Sequence, residues 1–245
     1  MTTNSDIKHW KRFWIPEIAR VFLMNVEFAY GSREKAVDMA KNLAEDGTPF
    51  PVAHLNYATH LASLGRADEA LALLGTALRL RPKRVARKNI LLTTATCRWL
   101  AGDIGAAIAT LEAMRAEFSY LNPSALTTLG YMYFLRGDYE RAEAASKEAL
   151  EESPGFAAAW DNLGQISYRQ RRLDEARGHF MKALELKPDL ADSNYYMGAI
   201  EEERGDIASA AGYFSRAAEC PVTAFNTVTM DEIVLRRDMY KDVIT

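Results

Sequence analysis

Cysteine is almost missing from this chain: two in 245 residues, Cys97 and Cys220, with no Cys-x-x-Cys spacing. That argues against a disulfide framework and predicts a reducing compartment, the cytoplasm, with two small buried thiols. Histidine is equally scarce. Of four, only His54 and His60 stand near one another, and a six-residue separation puts them on different faces of a helix. A helical metal site needs ligands roughly three or four residues apart, so no metal or other cofactor is expected. Long apolar runs are lacking too. The stretch from Phe13 to Tyr30 is broken by Glu17, Arg20, Asn25 and Glu27, and reads as neither a signal core nor a membrane span.

Catalytic signatures are equally absent. The sequence holds no phosphate-cradling GxxxxGK(S/T), no GxGxxG after a strand, no HExxH and no GxSxG. Asp189 and Asp192 invite reading as a carboxylate pair, but their positions suit a turn residue and a charge at a helix start. Nothing here supports an enzyme.

What the chain does have is the composition of an ordered protein, 49% hydrophobic and 26% charged. The formal net charge of −3 points to neither wholesale nucleic-acid binding nor an acidic tail. Its distribution is uneven: residues 1–100 carry a surplus of six positive charges and residues 101–245 a surplus of nine negative. Such polarity bears on partner choice, not on fold.

A repeat organises the rest. A helix stop of the glycine type falls at Gly31, Gly65, Gly102, Gly137 and Gly205, with Arg171 in the equivalent place between the last two. Five residues beyond each marker stands an alanine (Ala36, Ala70, Ala107, Ala142, Ala176, Ala210), small enough to let two helices approach closely. Four further on, Leu74, Leu111, Phe180 and Phe214 are bulky fillers, whereas Ala40 and Ser146 are weak ones. Pro82, Pro154 and Pro188 stop the second helix of their units. Asp68–Glu69, Asp138, Asp174–Glu175 and Asp206 lie where a second helix starts, at the positive end of its macrodipole.

In the unit from Ala157 to Leu190, the residues Trp160, Leu163, Gly164, Ala176, Phe180, Ala183 and Pro188 resemble the tetratricopeptide repeat (TPR) pattern. Gly130, Tyr133, Ala142, Ala149 and Pro154 match it in the preceding unit. Met24 and Ala95 depart from it, replacing the packing glycine of the first helix. The resemblance implies an all-α fold, a right-handed TPR superhelix (α-solenoid) of about six helix–turn–helix units. Residues 1–16 form an N-terminal segment. The array runs over 17–224, with units near 17–50, 51–84, 88–122, 123–156, 157–190 and 191–224. A C-terminal capping helix within 225–245 covers the last unit with Ile233, Val234, Met239 and Tyr240. The wording of Phe225 to Thr229 also resembles bacterial TPR proteins of unassigned role.

By the same resemblance the protein is a non-catalytic scaffold or adaptor, with a protein or peptide partner in a concave groove lined by the first helices. The groove positions read Asn56 and Thr59; Asn89, Thr93, Thr96 and Trp99; Thr128, Tyr131 and Phe134; Asn162, Gln165, Tyr168 and Arg169; Asp192, Tyr195 and Tyr196. Amide side chains can pair with a peptide backbone and tyrosines give flat contact area, although Trp99 and Tyr168 also suit packing between units. TPR domains that clamp a chaperone's C-terminal carboxylate use lysine and asparagine, then asparagine, then lysine and arginine. Here Asn162 holds the middle place, but Thr127 and Tyr131 precede it and Asp192 and Tyr196 follow. Without cations the carboxylate has no charge-assisted donors.

Two further features stand outside the groove. Trp10, Trp14, Ile18, Val21, Phe22 and Phe28 recur at helical spacing among Lys8, Lys11, Arg12 and Arg20, either as a surface helix docking on a membrane or as the first helix with its cap, packed on the second unit. A basic run, Arg79, Arg81, Lys83, Arg84, Arg87 and Lys88, suits an anionic surface or a solvated helix C-terminus and loop. It lacks interleaved aromatics, which argues against nucleic acid. Glu201, Glu202 and Glu203 could complement it in head-to-tail self-association into a homo-oligomer. Two alternatives therefore stay open: a peripheral membrane-associated assembly factor using the Trp-rich helix and basic run, and a ligand-sensing regulatory module.

Overall fold

The computed structural model describes residues 17–223 and 226–241. Trp10 and Trp14 lie outside them. Among the described residues there are thirteen helices and no strand: α1 (Glu17–Tyr30), α2 (Arg33–Glu45), α3 (Pro51–Ser63), α4 (Ala67–Arg79), α5 (Arg84–Leu100), α6 (Ile104–Phe118), α7 (Pro123–Leu135), α8 (Tyr139–Glu152), α9 (Ala157–Arg169), α10 (Leu173–Leu186), α11 (Ala191–Glu203), α12 (Ile207–Glu219) and α13 (Met230–Met239). The chain divides into two compact halves, the first ending at Met114 and the second beginning at Arg115.

Local chemistry sets these boundaries. Ser32, Asn122, Asp138 and Asp206 cap their helices by accepting a backbone N–H from the residue three further on. Asp103 does the same for α6. Pro51 and Pro123 open α3 and α7, where a missing N–H costs nothing. The helix stops at Gly65, Gly102, Gly137 and Gly205 take φ of 75°, 84°, 77° and 80°, and Arg171 takes 62°. In all five turns this residue donates to the carbonyl three back, and the next residue donates to the one five back, the Schellman arrangement. Gly31 differs. It has no positive φ, its N–H returns to Glu27 O, and the Glu27 carboxylate accepts from Ser32 N. The left-handed glycine in that first repeat is instead Gly47, after α2.

Second helices pack on the first helices of their own repeats, as in α3 with α4 or α9 with α10. First helices of successive repeats also touch: α3 with α5, and α7 with α9 and α9 with α11. All six marker alanines are fully buried at the helix–helix contacts. The filler position four beyond them faces the packing position of the first helix. A Cβ built on Gly164 would lie 2.5 Å from Phe180, and one on Gly198 2.8 Å from Phe214. In the fourth repeat Gly130 faces Ser146 at 2.8 Å. In the first, the sizes are exchanged, and Met24 and Ala40 are both fully buried in one cluster.

After α12 the chain returns along the C-terminal half into α13. Thr229 and Glu232 close a capping box at its start. Ile233 is fully buried, Val234 half-buried, and Tyr240 stacks on Phe214 at 5.8 Å. Met239, expected to cover the last repeat, is exposed.

Candidate functional site

Three first helices of the C-terminal half, α7, α9 and α11, form one layer. Asn162 on α9 donates from Nδ2 to the Thr127 carbonyl on α7, at 2.9 Å. One turn along α9, Gln165 Nε2 donates to Asp161 Oδ2 (2.7 Å) and to Asp192 Oδ2 on α11 (3.2 Å), so a single amide nitrogen joins two carboxylates. Ser193 Oγ donates to the other Asp161 oxygen. All these side chains are buried. Burial, with the Asp192 charge behind it, pushes the Asp161 carboxyl up to about 7. Asp192 is raised too, chiefly by burial, with hydrogen bonds from Thr227 and Val228 opposing.

Those last two donors belong to the chain's own return segment. Thr227 N and Val228 N donate to the two Asp192 oxygens at 2.9 and 3.3 Å. The Thr227 hydroxyl lies 3.0 Å from Gln165 Oε1 and 3.1 Å from the Tyr196 hydroxyl. A non-helical piece of backbone is thus seated where the sequence places a groove for a partner, and Gln165 and Tyr196 are covered by it. Beside it a cavity of about 320 Å³ remains, walled by Thr127, Thr128, Tyr131, Asp161, Asn162 and Asp192, with Lys187 and Asp189 among its other residues.

The other expected groove residues divide by burial. Tyr131, Phe134 and Tyr196 are core. Tyr131 stacks on Phe134 within α7, whereas Tyr196 stacks on Phe180 and tilts on Tyr168, which is packing between repeats. Tyr195 is half-buried, edge-on to Phe214, and Arg169 is exposed. Thr128 is half-buried, its hydroxyl returned to the Ser124 carbonyl. In the N-terminal half, Asn56 is half-buried against the Met24 sulfur, and Thr93 and Thr96 likewise return their hydroxyls to their own helix. Asp161 was not among the expected residues. The sequence shows only an aspartate on one first helix and another, Asp192, near the start of the next, and not that the two meet.

Outside this site, Arg79 ends α4, Arg81 takes φ 51°, and Lys83 precedes α5. Arg84, Arg87 and Lys88 sit in the first turns of α5, the end of the macrodipole that disfavours cations, and not at a helix C-terminus. Glu201, Glu202 and Glu203 are engaged within their own half, by Arg177 and Arg204, by Arg236 and Tyr240, and by Arg171 respectively. On α1, Val21 and Met24 are core, but Ile18, Phe22, Val26 and Tyr30 are exposed at four-residue spacing, so the aromatics are not all packed on the second repeat. Among the described residues no group of three metal-ligating side chains exists, and no helix is long and apolar enough to cross a membrane.

A family model for the tetratricopeptide repeat matches residues 95–155, 136–191 and 162–222. The chain belongs to the tetratricopeptide repeat family. Over 70 residues this TPR protein is 35% identical to the peroxisomal targeting signal 1 receptor of Dictyostelium discoideum, a match covering 29% of this chain and only 11% of that protein's length. Among solved structures, one chain of the APC/C hetero-tetramer Cut9-Hcn1 aligns with a TM-score of 0.72 at 19% identity, over 94% of this chain and 43% of that one. YrrB, a TPR protein with an unusual peptide-binding site, aligns with a TM-score of 0.51 at 20% identity, over 81% and 96%. At such identities these structures speak to the TPR fold alone.

Proposed function

We propose that this TPR protein is a non-catalytic adaptor holding a peptide segment of a partner protein against α7, α9 and α11. One observation carries the reading. That surface already grips non-helical backbone, the chain's own Thr227 and Val228, through the carboxylate of Asp192. The cavity beside this segment offers further room, and its amide and carboxylate groups suit main-chain donors and polar side chains. The peptide-binding site of YrrB and the targeting-signal receptor from Dictyostelium point the same way.

The test is a steric plug. Thr128 lines the cavity, is only half-buried and takes no part in the Asp161–Gln165–Asp192 hydrogen bonds, so Thr128→Trp fills the space from outside that network. A partner cross-linked to the natural chain in its source cell should be lost from the variant, with helical circular dichroism unchanged. Undiminished cross-linking to a folded variant overturns the reading.

A further inference from the structure

The cavity has a chemical bias that an adaptor role alone leaves unexplained. Two buried carboxylates, Asp161 and Asp192, stand in its wall, and no lysine or arginine among the described residues pairs with either. Their hydrogen-bond partners are all neutral: Ser193 and Gln165 for Asp161, and Gln165, the Asn226 side chain, Thr227 and the backbone of Val228 for Asp192. Neutral donors offset the loss of hydration only in part, and like charges set side by side repel. A second, independent sign lies in the same wall. The Thr127 hydroxyl is buried and has no hydrogen-bond partner, a state native proteins avoid unless something else supplies one. Tyr131 adds a ring beside both carboxylates, a face on which an alkyl stem or a cation can rest.

We propose that the cavity receives a basic side chain, lysine or arginine, from a peptide segment of the partner, its cationic head in the cavity beside Asp161, Asp192 and Thr127. The proposal rests on the reading of this surface as a peptide site and names what the peptide carries. A volume of about 320 Å³ takes one long side chain and no folded element. The cavity wall includes Thr223 and Asn226 of the return segment, so a peptide entering here lies alongside backbone that Asp192 already holds. The negative surplus over residues 101–245 steers a basic partner toward this half. A bare metal ion fits less well, since the described residues offer no group of three ligands. Lys187, exposed and among the cavity residues, is the built-in competitor.

The experiment titrates the full chain with two capped heptapeptides, identical except for arginine or glutamine at the centre, and follows the amide resonances of Thr127 and Asn162. Spermidine serves as the free-cation arm. The expected result is saturable shifts with the arginine peptide, binding weaker by about tenfold or more with the glutamine peptide, and a similar loss in Asp161→Asn. Lys187→Ala, which removes the cavity's own cation and none of the buried hydrogen bonds, should tighten the arginine peptide. Equal shifts with both peptides overturn the cationic site while leaving the peptide groove standing. Silence from both overturns the site, and retained cross-linking in Thr128→Trp would then remove the groove reading as well. Shifts with spermidine alone overturn the assignment to a peptide.

Discussion

Arg171 adopts the left-handed conformation that Gly65, Gly102, Gly137 and Gly205 adopt at the other turns, and it carries a Cβ into it. A side chain there crowds the following carbonyl, which is why glycine is the usual occupant. Arg171 makes a two-pronged ion pair with Glu203, but both partners face solvent and exposed pairs contribute little. The backbone term therefore outweighs the ion pair. Arg171→Gly should melt above Arg171→Ala by roughly 2–4 °C in matched thermal scans. Equal melting temperatures would show that the turn bears a Cβ without strain. This residue was legible from spacing alone, because a turn recurring near every 34 residues marks its own exceptions. Asp161 was not legible in that way. Its role depends on Asp192 and Gln165 meeting it across two helices, a contact between repeats that a pattern within one repeat does not encode.

At the scale of the helix, the first, fifth and sixth repeats solve one volume problem with two positions, while the fourth sets two small residues, Gly130 and Ser146, face to face. Glycine on the first helix admits Phe180 or Phe214 from the second, and Met24 reaches toward Ala40 where the sizes are exchanged. The sequence pattern marked Met24 as a departure and Ala40 as weak because it compared each with its counterparts in other repeats. Across the contact they are complementary, and conserved volume is what a packed interior tolerates. Gly164→Ala drives a Cβ into the Phe180 ring and should cost about 1–3 kcal/mol in denaturant titrations. Phe180→Leu added to it should recover part of that loss, a coupling of about 0.5 kcal/mol or more. Gly178, inside α10 with nothing within 4 Å of a built Cβ, is the internal control. There Gly178→Ala should gain about 0.5–1 kcal/mol through helix propensity. A loss at Gly178, or none at Gly164, would refute the packing account.

Over the whole molecule, repetition made the helical architecture readable while the surface of the C-terminal half was remade by the chain's own return segment. Its seat buries Asp192 against Asp161, and that pair ties global stability to pH. A carboxyl raised to about 7 in the fold, against an ordinary value near 4 when unfolded, binds its proton more tightly in the native state. Its stabilising effect is complete below the unfolded value and is lost as pH rises through the folded one. Other groups complicate a single profile. His179, lowered by burial, acts in the opposite sense, costing stability as the solution is acidified. The groups around Asp161 are Gln165 on its own helix, Tyr131 on α7, Asp192, Ser193 and Tyr196 on α11, and Asp189 and Lys187 in the cavity wall. The difference between Asp161→Asn and the natural chain cancels His179 and isolates the pair. In thermal melts at pH 5, 6, 7 and 8, roughly the range over which such a group titrates, the variant's advantage should widen with rising pH and level off above about 7. A constant offset across the series would mean that the two carboxylates are solvated in solution, and the cationic pocket would lose its electrostatic basis along with the pH dependence.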